Sequence, residues 1–463
     1  MINLWNDKRP ILVTCARGIS PYLEREILAL GMPVREVSEA AVETTGGMID
    51  AMRLNLCLRT GQRVLMLLHE GRARTPDDLY AAAISLPWED VLHVDRYFCV
   101  TSAVATPAIR DPRYANVRIK DAIVDRLRRL YRRRPDSGSD RTGAVVHLYW
   151  QDDLYRIFAD TSGEPLSRRG YRKVPLTAPM QETLAAAVLM ATGWTGDTPL
   201  VNPMCGSGTL AIEAALLARR RGPGILRENF GFLHLRGFDD DLWQHLRLQV
   251  RKEERPDFPG RIIASDISPE AVRAAAVNAG RAKMGRHIQL RVCPFAATPV
   301  PREQGVVIMN PPYGQRLGAD EELERMYGEM GDFLKTGCHG YRGYVFTANL
   351  ELAKRIGLRT SRRLIFFNGE LESRLLEYPL YEGSGKQPRP EAKPPDKSPE
   401  EVGGTPRDTE PAAPYARIIK APGPAAPRKI VKKDPAGRAQ VPGTGRRDRR
   451  DGGKINRRAG KEH

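Results

Sequence analysis

Apolar and polar positions divide the chain into regions of different periodicity. From Pro199 to about residue 380, short apolar runs alternate with longer stretches at helical spacing. Leu200-Val201, Arg261 to Ser265, Ile288 to Val292, Gly305 to Met309 and Gly343 to Thr347 read as buried strands. Leu210 to Arg220, Pro269 to Lys283 and Glu321 to Leu334 read as the helices between them. Such alternation predicts an α/β fold with a parallel sheet. Ser268 is placed to cap the helix that Pro269 opens, with Glu270 in its first turn. Arg359 to Asn368 and Leu371 to Tyr378 predict an antiparallel pair that closes the sheet.

The preceding residues mix strands and helices less regularly. Residues 1–65 predict a small α/β unit, with a strand at Ile11 to Thr14, a helix from Ile19 to Leu30 ending at Gly31, and a helix at Ala51 to Leu58. Residues 66–162 predict a second unit, with strands at Arg96 to Ala105, Ala144 to Trp150 and Asp152 to Asp160. Between them, Val117 to Arg134 predicts a very basic helix, and an Ala-rich helix is predicted from Pro179 to Met190. A third unit is expected over 163–382. From 383 the pattern ends. Residues 381–463 hold 13 prolines, with Tyr381 and Tyr415 the only aromatics, and 411–463 carry 15 Lys/Arg against 4 Asp/Glu. Such a segment buries too little apolar surface to offset the entropy of ordering, so a disordered basic tail is expected over 383–463.

Composition then narrows the partners. The net charge is +17. That favours a polyanion, nucleic acid before an anionic membrane. No apolar stretch approaches the roughly 18 residues of a membrane span, and Met1 to Pro10 lacks the apolar run of a signal peptide, so a cytoplasmic protein is expected. The six cysteines are scattered without a C-x-x-C pair, which gives no sign of a metal site or a disulfide framework. Along the basic helix Arg128, Arg129, Arg132, Arg133 and Arg134 crowd one end around Tyr131. That end is the expected phosphate-contacting surface.

Two stretches carry chemistry. Asn310-Pro311-Pro312-Tyr313 follows the apolar run to Met309. Two prolines cannot continue a central strand, so the chain should open there into a rigid loop at the strand's carboxyl end. An amide oxygen and a backbone carbonyl can accept both hydrogens of a planar amino group while the Tyr ring stacks on its base. That set suits an exocyclic amine of a nucleobase. Asn202-Pro203-Met204-Cys205-Gly206-Ser207-Gly208-Thr209 is a glycine-rich turn before a helix. Its glycines admit close approach of a ligand, and the helix N-terminus favours a carboxylate or phosphate. The acid ending the next strand is Asp266, far beyond the roughly 20-residue spacing of a nicotinamide site. S-adenosylmethionine, with an amino-acid carboxylate and a ribose, fits without a pyrophosphate.

Together the two stretches resemble class I S-adenosylmethionine-dependent amino-methyltransferases. More closely, the chain is similar to the bacterial THUMP-domain 23S rRNA guanine-N2-methyltransferases. Ala16-Arg17-Gly18, Lys120 to Asp125, Gly170-Tyr171-Arg172 and Glu182 to Ala187 share in the resemblance, which covers roughly residues 10–380. It implies a ferredoxin-like unit and a THUMP RNA-binding domain before a Rossmann-like methyltransferase domain. It implies that Asn202, Pro203, Cys205, Gly206, Ser207, Gly208 and Thr209 line the cofactor and that Asp266 holds its ribose. Asn310 and the Pro311 carbonyl would grip the guanine amino group, with Pro312 stiffening the loop and Tyr313 against the base. No metal is implied, and ribosome assembly intermediates join 23S rRNA as expected partners. The family carries Asp where Asn202 stands and an acid near Pro294, so weaker cofactor binding is expected here. Some relatives carry a second methyltransferase domain, whose activity is expected to be absent. A tRNA guanine-N2-methyltransferase, a DNA adenine-N6-methyltransferase and an RNA-binding assembly factor of low activity are the rival readings.

Overall fold

The computed structural model describes residues 3–174, 180–312 and 320–381. The basic segment 383–463 and Tyr313 lie outside the described residues. The first unit runs β1 (Arg9–Thr14), α1 (Ser20–Ala29), β2 (Val34–Val37), β3 (Ala41–Gly46) and α2 (Met48–Cys57). The chain continues through β4 (Arg63–Arg72), α3 (Pro76–Ser85), β5 (Phe98–Ala105), α4 (Pro112–Tyr131), β6 (Ser137–Gly138), β7 (Ala144–Gln151) and β8 (Leu154–Asp160). All eight strands join one sheet in the order β2-β3-β1-β4-β8-β7-β5-β6. The long strand β4 pairs antiparallel with β1 on one side and β8 on the other, so the two N-terminal units share a backbone ladder.

Helix α4 differs from the sequence expectation at its end. It stops at Tyr131, and Arg132 takes a left-handed conformation, φ 54°. Arg132, Arg133 and Arg134 therefore follow the helix instead of extending it. Along the helix Ile119, Ala122, Ile123 and Leu127 face the core, and Arg118 and Arg126 are paired with Asp77 and Glu89.

The remaining elements are α5 (Glu182–Thr192), β9 (Leu200–Pro203), α6 (Thr209–Ala218), α7 (Asp240–Lys252), β10 (Ile262–Asp266), α8 (Pro269–Arg281), β11 (Ile288–Val292), β12 (Val306–Met309), α9 (Asp320–Gly337), β13 (Arg342–Thr347), α10 (Leu350–Lys354), β14 (Arg362–Asn368) and β15 (Leu371–Pro379). They form a sheet ordered β11-β10-β9-β12-β13-β15-β14. The first five strands in that order are parallel, and the β14–β15 hairpin adds antiparallel to β13. From β9 the chain steps outward through β10 and β11, then returns to place β12 on β9's other side. The order thus reverses between β9 and β12, where ligands of open α/β sheets bind. Helices cover both faces, which explains the unbroken apolar runs. Leu200, Val306 and Ile308 pack with α5, α6 and α8, whereas Val201, Val307 and Met309 pack with Tyr327, Met330, Phe333 and Leu334 of α9.

Between the sheets lies a buried polar junction. Arg169 is 1% exposed and its partner Glu213, on α6, is fully buried, 3.3 Å away. Arg169 also donates to the carbonyls of Leu166 and Arg59, and the Tyr171 hydroxyl donates to Glu213 at 3.0 Å. Burial, with the Glu213 and Glu182 carboxylates next in weight, pushes the Tyr171 phenol above its usual range, so it remains the proton donor. Arg227 donates to the carbonyls of Ser162, Glu164, Pro165 and Arg168. It sits in the 221–260 stretch, which contains α7, and ties that stretch to the linker after β8.

Candidate active site at the sheet switch point

The site forms where β9 and β12 part. Their ladder pairs Leu200 with Val306 and Val201 with Val307. Beyond it the link passes to a side chain: Asn202 Nδ2 donates to the Ile308 carbonyl at 2.9 Å. Asn202 and Pro203 belong to β9, whereas the sequence placed them in the turn. Pro203 fits here because the β9–β12 ladder has already ended at Val201 and Val307, so no N–H is needed toward β12. Pro203 pairs with Ser265 of β10, and the ladder continues as Cys205 N–H donates to the Ser265 carbonyl at 2.9 Å.

Asn202 is fully buried, and its Oδ1 has no hydrogen-bond partner among the described residues. Asn310, one residue past β12, likewise carries a buried Oδ1 without a partner. Unmet buried acceptors cost stability, and among the described residues two of them lie at this one switch point. Pro311 is buried and Pro312 exposed.

The turn after β9 is held open by backbone conformation. Met204, Gly206 and Gly208 have φ of 58°, 55° and 82°. A Cβ on Gly208 would meet that of Ala275 on α8 at 2.9 Å, so glycine is required there for space as well as for φ. Gly208 leads into α6 without a side-chain cap, which leaves first-turn amides for an anion. Ser207 and Thr209 are buried. Burial, then the neighbouring Asp266 charge, pushes the Cys205 thiol up to about 12, which keeps it out of nucleophilic chemistry. Asp266 ends β10 as expected. Its Oδ2 accepts from Gly206 N–H at 2.9 Å and its Oδ1 from Ser268 N–H at 3.0 Å. The carboxylate thus braces the glycine turn while lone pairs remain for a further donor. Ser268 caps α8 as expected, accepting from Ala271 N–H.

Pro294 begins the turn after β11, and the neighbouring Cys293 N–H donates to the Asp266 carbonyl. At the end of α4, Arg128, Arg129, Arg132, Arg133 and Arg134 are all exposed, with Leu130 and Tyr131 between them. Arg236 donates to the Tyr131 hydroxyl at 3.2 Å. Two residues that support the site were given no role from the sequence, Arg172 being quoted there only for the resemblance. Arg172 donates to Thr209 Oγ1 at 3.1 Å, and Asn278 of α8 donates to the Ser207 carbonyl at 3.2 Å. The signal for Asn278 was a polar residue on the buried stripe Ala271, Ala274, Ala275, Ala279. Among the described residues no His, Cys, Asp and Glu cluster suits a metal, and no helix is long and apolar enough to cross a membrane.

Known families match three parts of the chain. Residues 10–65 match the RlmL ferredoxin-like domain, 73–147 the THUMP domain and 169–377 the RMKL-like methyltransferase domain. The ribosomal RNA large subunit methyltransferase K/L of Allochromatium vinosum is 37% identical over 79% of this chain and 51% of its own length. A Synechocystis sp. protein, slr0064, whose name proposes an RNA methyltransferase, is 35% identical over 81% of this chain and 97% of its own. Among solved structures, SMU.472, described as a methyltransferase candidate complexed with SAH, is 26% identical with a TM-score of 0.74 over 82% of this chain and 100% of that one. A Listeria monocytogenes structure described as a predicted N6-adenine-specific DNA methylase is 30% identical with a TM-score of 0.73 over 80% and 96%. The chain spans about half the length of the K/L relatives it matches. With slr0064 matched almost end to end and all three domains in sequence, the chain belongs to the RMKL-like methyltransferase family, in the form that carries RlmL ferredoxin-like and THUMP domains ahead of the catalytic domain.

Proposed function

We propose that this chain transfers a methyl group from S-adenosylmethionine to the exocyclic N2 of a guanine in 23S ribosomal RNA. The observation that supports this reading is the pair of buried amide oxygens, on Asn202 and Asn310, that have no partner among the described residues at the switch point between β9 and β12. The residues fit the cofactor. Asn202 Oδ1 would accept from its amino group, the amides opening α6 would meet its carboxylate, and Asp266 would accept from its ribose. Pro203, Cys205, Gly206, Ser207, Gly208 and Thr209 would line the methionine part. The cofactor supplies a methyl group already activated on a sulfonium, so the protein's task is positioning. Guanine N2 is a weak nucleophile because its lone pair is delocalised into the ring. Accepting its two hydrogens at Asn310 Oδ1 and the Pro311 carbonyl would return electron density to the nitrogen, which bonds to the methyl carbon as the C–S bond breaks and then gives up one proton to water. Pro312 fixes the loop, and Tyr313 is proposed to stack on the base, which leaves its helix to enter the site.

In this reading residues 1–65, 66–162 and 163–382 act as ferredoxin-like, THUMP and methyltransferase domains, with 383–463 a basic tail. The substrate is met in the cytoplasm, on free rRNA or on ribosome assembly intermediates. The K/L relatives' names and the THUMP match support RNA as the polymer. A second reading has one observation behind it: an Asn-Pro-Pro-Tyr loop can also grip adenine N6, and the Listeria relative is described as acting there. Methyl incorporation into 23S rRNA, tRNA and duplex DNA separates the readings. Transfer to 23S rRNA alone is expected, and transfer to duplex DNA alone would overturn the proposal.

Asp266→Ala should weaken S-adenosylmethionine binding by about 1.5–3 kcal/mol, the range for hydrogen bonds to a charged group. Calorimetric titration checks this, and wild-type affinity in the folded variant would remove Asp266 from the site. NADH should not bind.

The two basic regions should separate by salt. Deleting residues 385–463 should flatten the slope of log affinity against log salt without changing which nucleotide is modified, since counterion release reads no sequence. Neutralising Arg128, Arg129, Arg132 and Arg133 should impair methylation of the correct nucleotide out of proportion to lost affinity, because phosphate contacts on a folded element set register. A salt series beside a methylation assay on the same RNA checks both. An altered target after the tail deletion would contradict the assignment.

A further inference from the structure

The glycine turn is braced from three sides, and one brace comes from the linker between β8 and α5, at the start of the methyltransferase match. Asn278, 1% exposed on α8, uses its whole amide. Oδ1 accepts from Lys173 N–H at 3.0 Å and Val174 N–H at 3.4 Å. Nδ2 donates to the Ser207 carbonyl at 3.2 Å and the Val174 carbonyl at 3.4 Å. One side chain thus joins the linker backbone to the middle residue of Gly206-Ser207-Gly208. Ala275, three residues earlier on the same helix, is the residue against which Gly208 packs. On the linker's other side Arg172 reaches Thr209 Oγ1, the Met180 carbonyl at 2.7 Å and Glu182 at 3.2 Å. Upstream, Arg169 and Tyr171 fasten the same linker to Glu213, one turn further along α6 than Thr209.

We propose that Asn278 is a positioning residue for the cofactor turn, and that through Asn278 and Arg172 the segment between β8 and α5 sets the turn's cofactor-binding geometry. The inference rests on the reading that this turn binds S-adenosylmethionine. Neither side chain needs to touch the ligand. Asn278 fixes the Ser207 peptide, so the amides that follow it are aimed before a ligand arrives. Arg172 fixes the first residue of α6, whose N-terminus receives the carboxylate. A wholly structural Asn278, filling buried backbone valences alone, would affect melting temperature and nothing else.

Two substitutions distinguish these roles. Asn278→Asp keeps an acceptor for the Lys173 and Val174 amides but has no donor for the Ser207 carbonyl. Asn278→Ala loses both. The full-length chain is titrated with S-adenosylhomocysteine, and steady-state rates are taken over ranges of S-adenosylmethionine and rRNA. Each variant should raise the S-adenosylhomocysteine Kd and the KM for S-adenosylmethionine about tenfold. The kcat at saturating cofactor and the KM for RNA should stay within twofold of wild type. Arg172→Gln, which keeps the linker's length and loses the contact to Thr209, should move the same two constants in the same direction. It decides the matter if the Asn278 variants do not fold. Wild-type Kd in folded Asn278 variants, or in Arg172→Gln alone where those do not fold, would overturn the inference and leave the cofactor reading standing. Failure of the wild-type chain to bind S-adenosylhomocysteine would overturn both.

Discussion

Asn310→Ala should lower turnover at least about a hundredfold, the loss that follows removal of one oriented polar contact to a transition state. The expectation comes from where Asn310 stands. Its Oδ1 is buried at the end of β12 and bonds to no other described residue. Removing it should leave the melting temperature close to wild type. Cofactor affinity should also barely change, since Asn202, the glycine turn and Asp266 come from β9 and β10. The expected pattern is therefore a collapse of kcat with an unaltered Kd for S-adenosylmethionine. Calorimetry beside single-turnover methylation reads both. Near-normal turnover in a folded Asn310→Ala variant would remove Asn310 from the chemistry.

The largest stability effect should come from Glu213. Glu213→Ala leaves the Arg169 guanidinium buried without a carboxylate and takes the acceptor from Tyr171. Breaking a buried pair from one side costs roughly 3–5 kcal/mol, mostly because the remaining charge is stranded. Replacing both partners with apolar residues should cost much less. A chemical denaturation series on Glu213→Ala and on the Arg169→Leu, Glu213→Leu double variant checks this. An unchanged midpoint in Glu213→Ala would show that water reaches Arg169. The pair bridges the linker and α6, so the single variant should also loosen the N-terminal units from the catalytic domain before either sheet melts.

Much of the catalytic domain was legible because local and global preferences agree along it. Ile262–Asp266, the Ser268 cap, Pro269 at the first helical position and Ile288–Val292 are all local signals, and each sits where those signals put it. The fold misleads where a local rule meets an exception. Pro203 belongs to β9 because the ladder to β12 ends at Val201, so its missing N–H costs no bond there. Arg132 ends α4 in a left-handed conformation that its basic surroundings did not announce. Candidate residues on the two motifs were named from the sequence because loop chemistry is written in consecutive residues. Asn278, Arg172 and Glu213 were not, because their meaning lies in partners between 8 and 105 positions away. A polar residue inside an apolar helix, such as Glu213 among Ala211, Ile212, Ala214 and Ala215, announces a partner but not which one.

In the proposed mechanism the Asn310 loop presents guanine N2 to a methyl donor held by the glycine turn. Nucleoside mass spectrometry of 23S rRNA treated with this chain and isotopically labelled S-adenosylmethionine tests it most directly. The label should appear as N2-methylguanosine and be absent when Asn310→Ala replaces the wild type. Label in N6-methyladenosine, or label equally abundant with the Asn310→Ala variant, would contradict it.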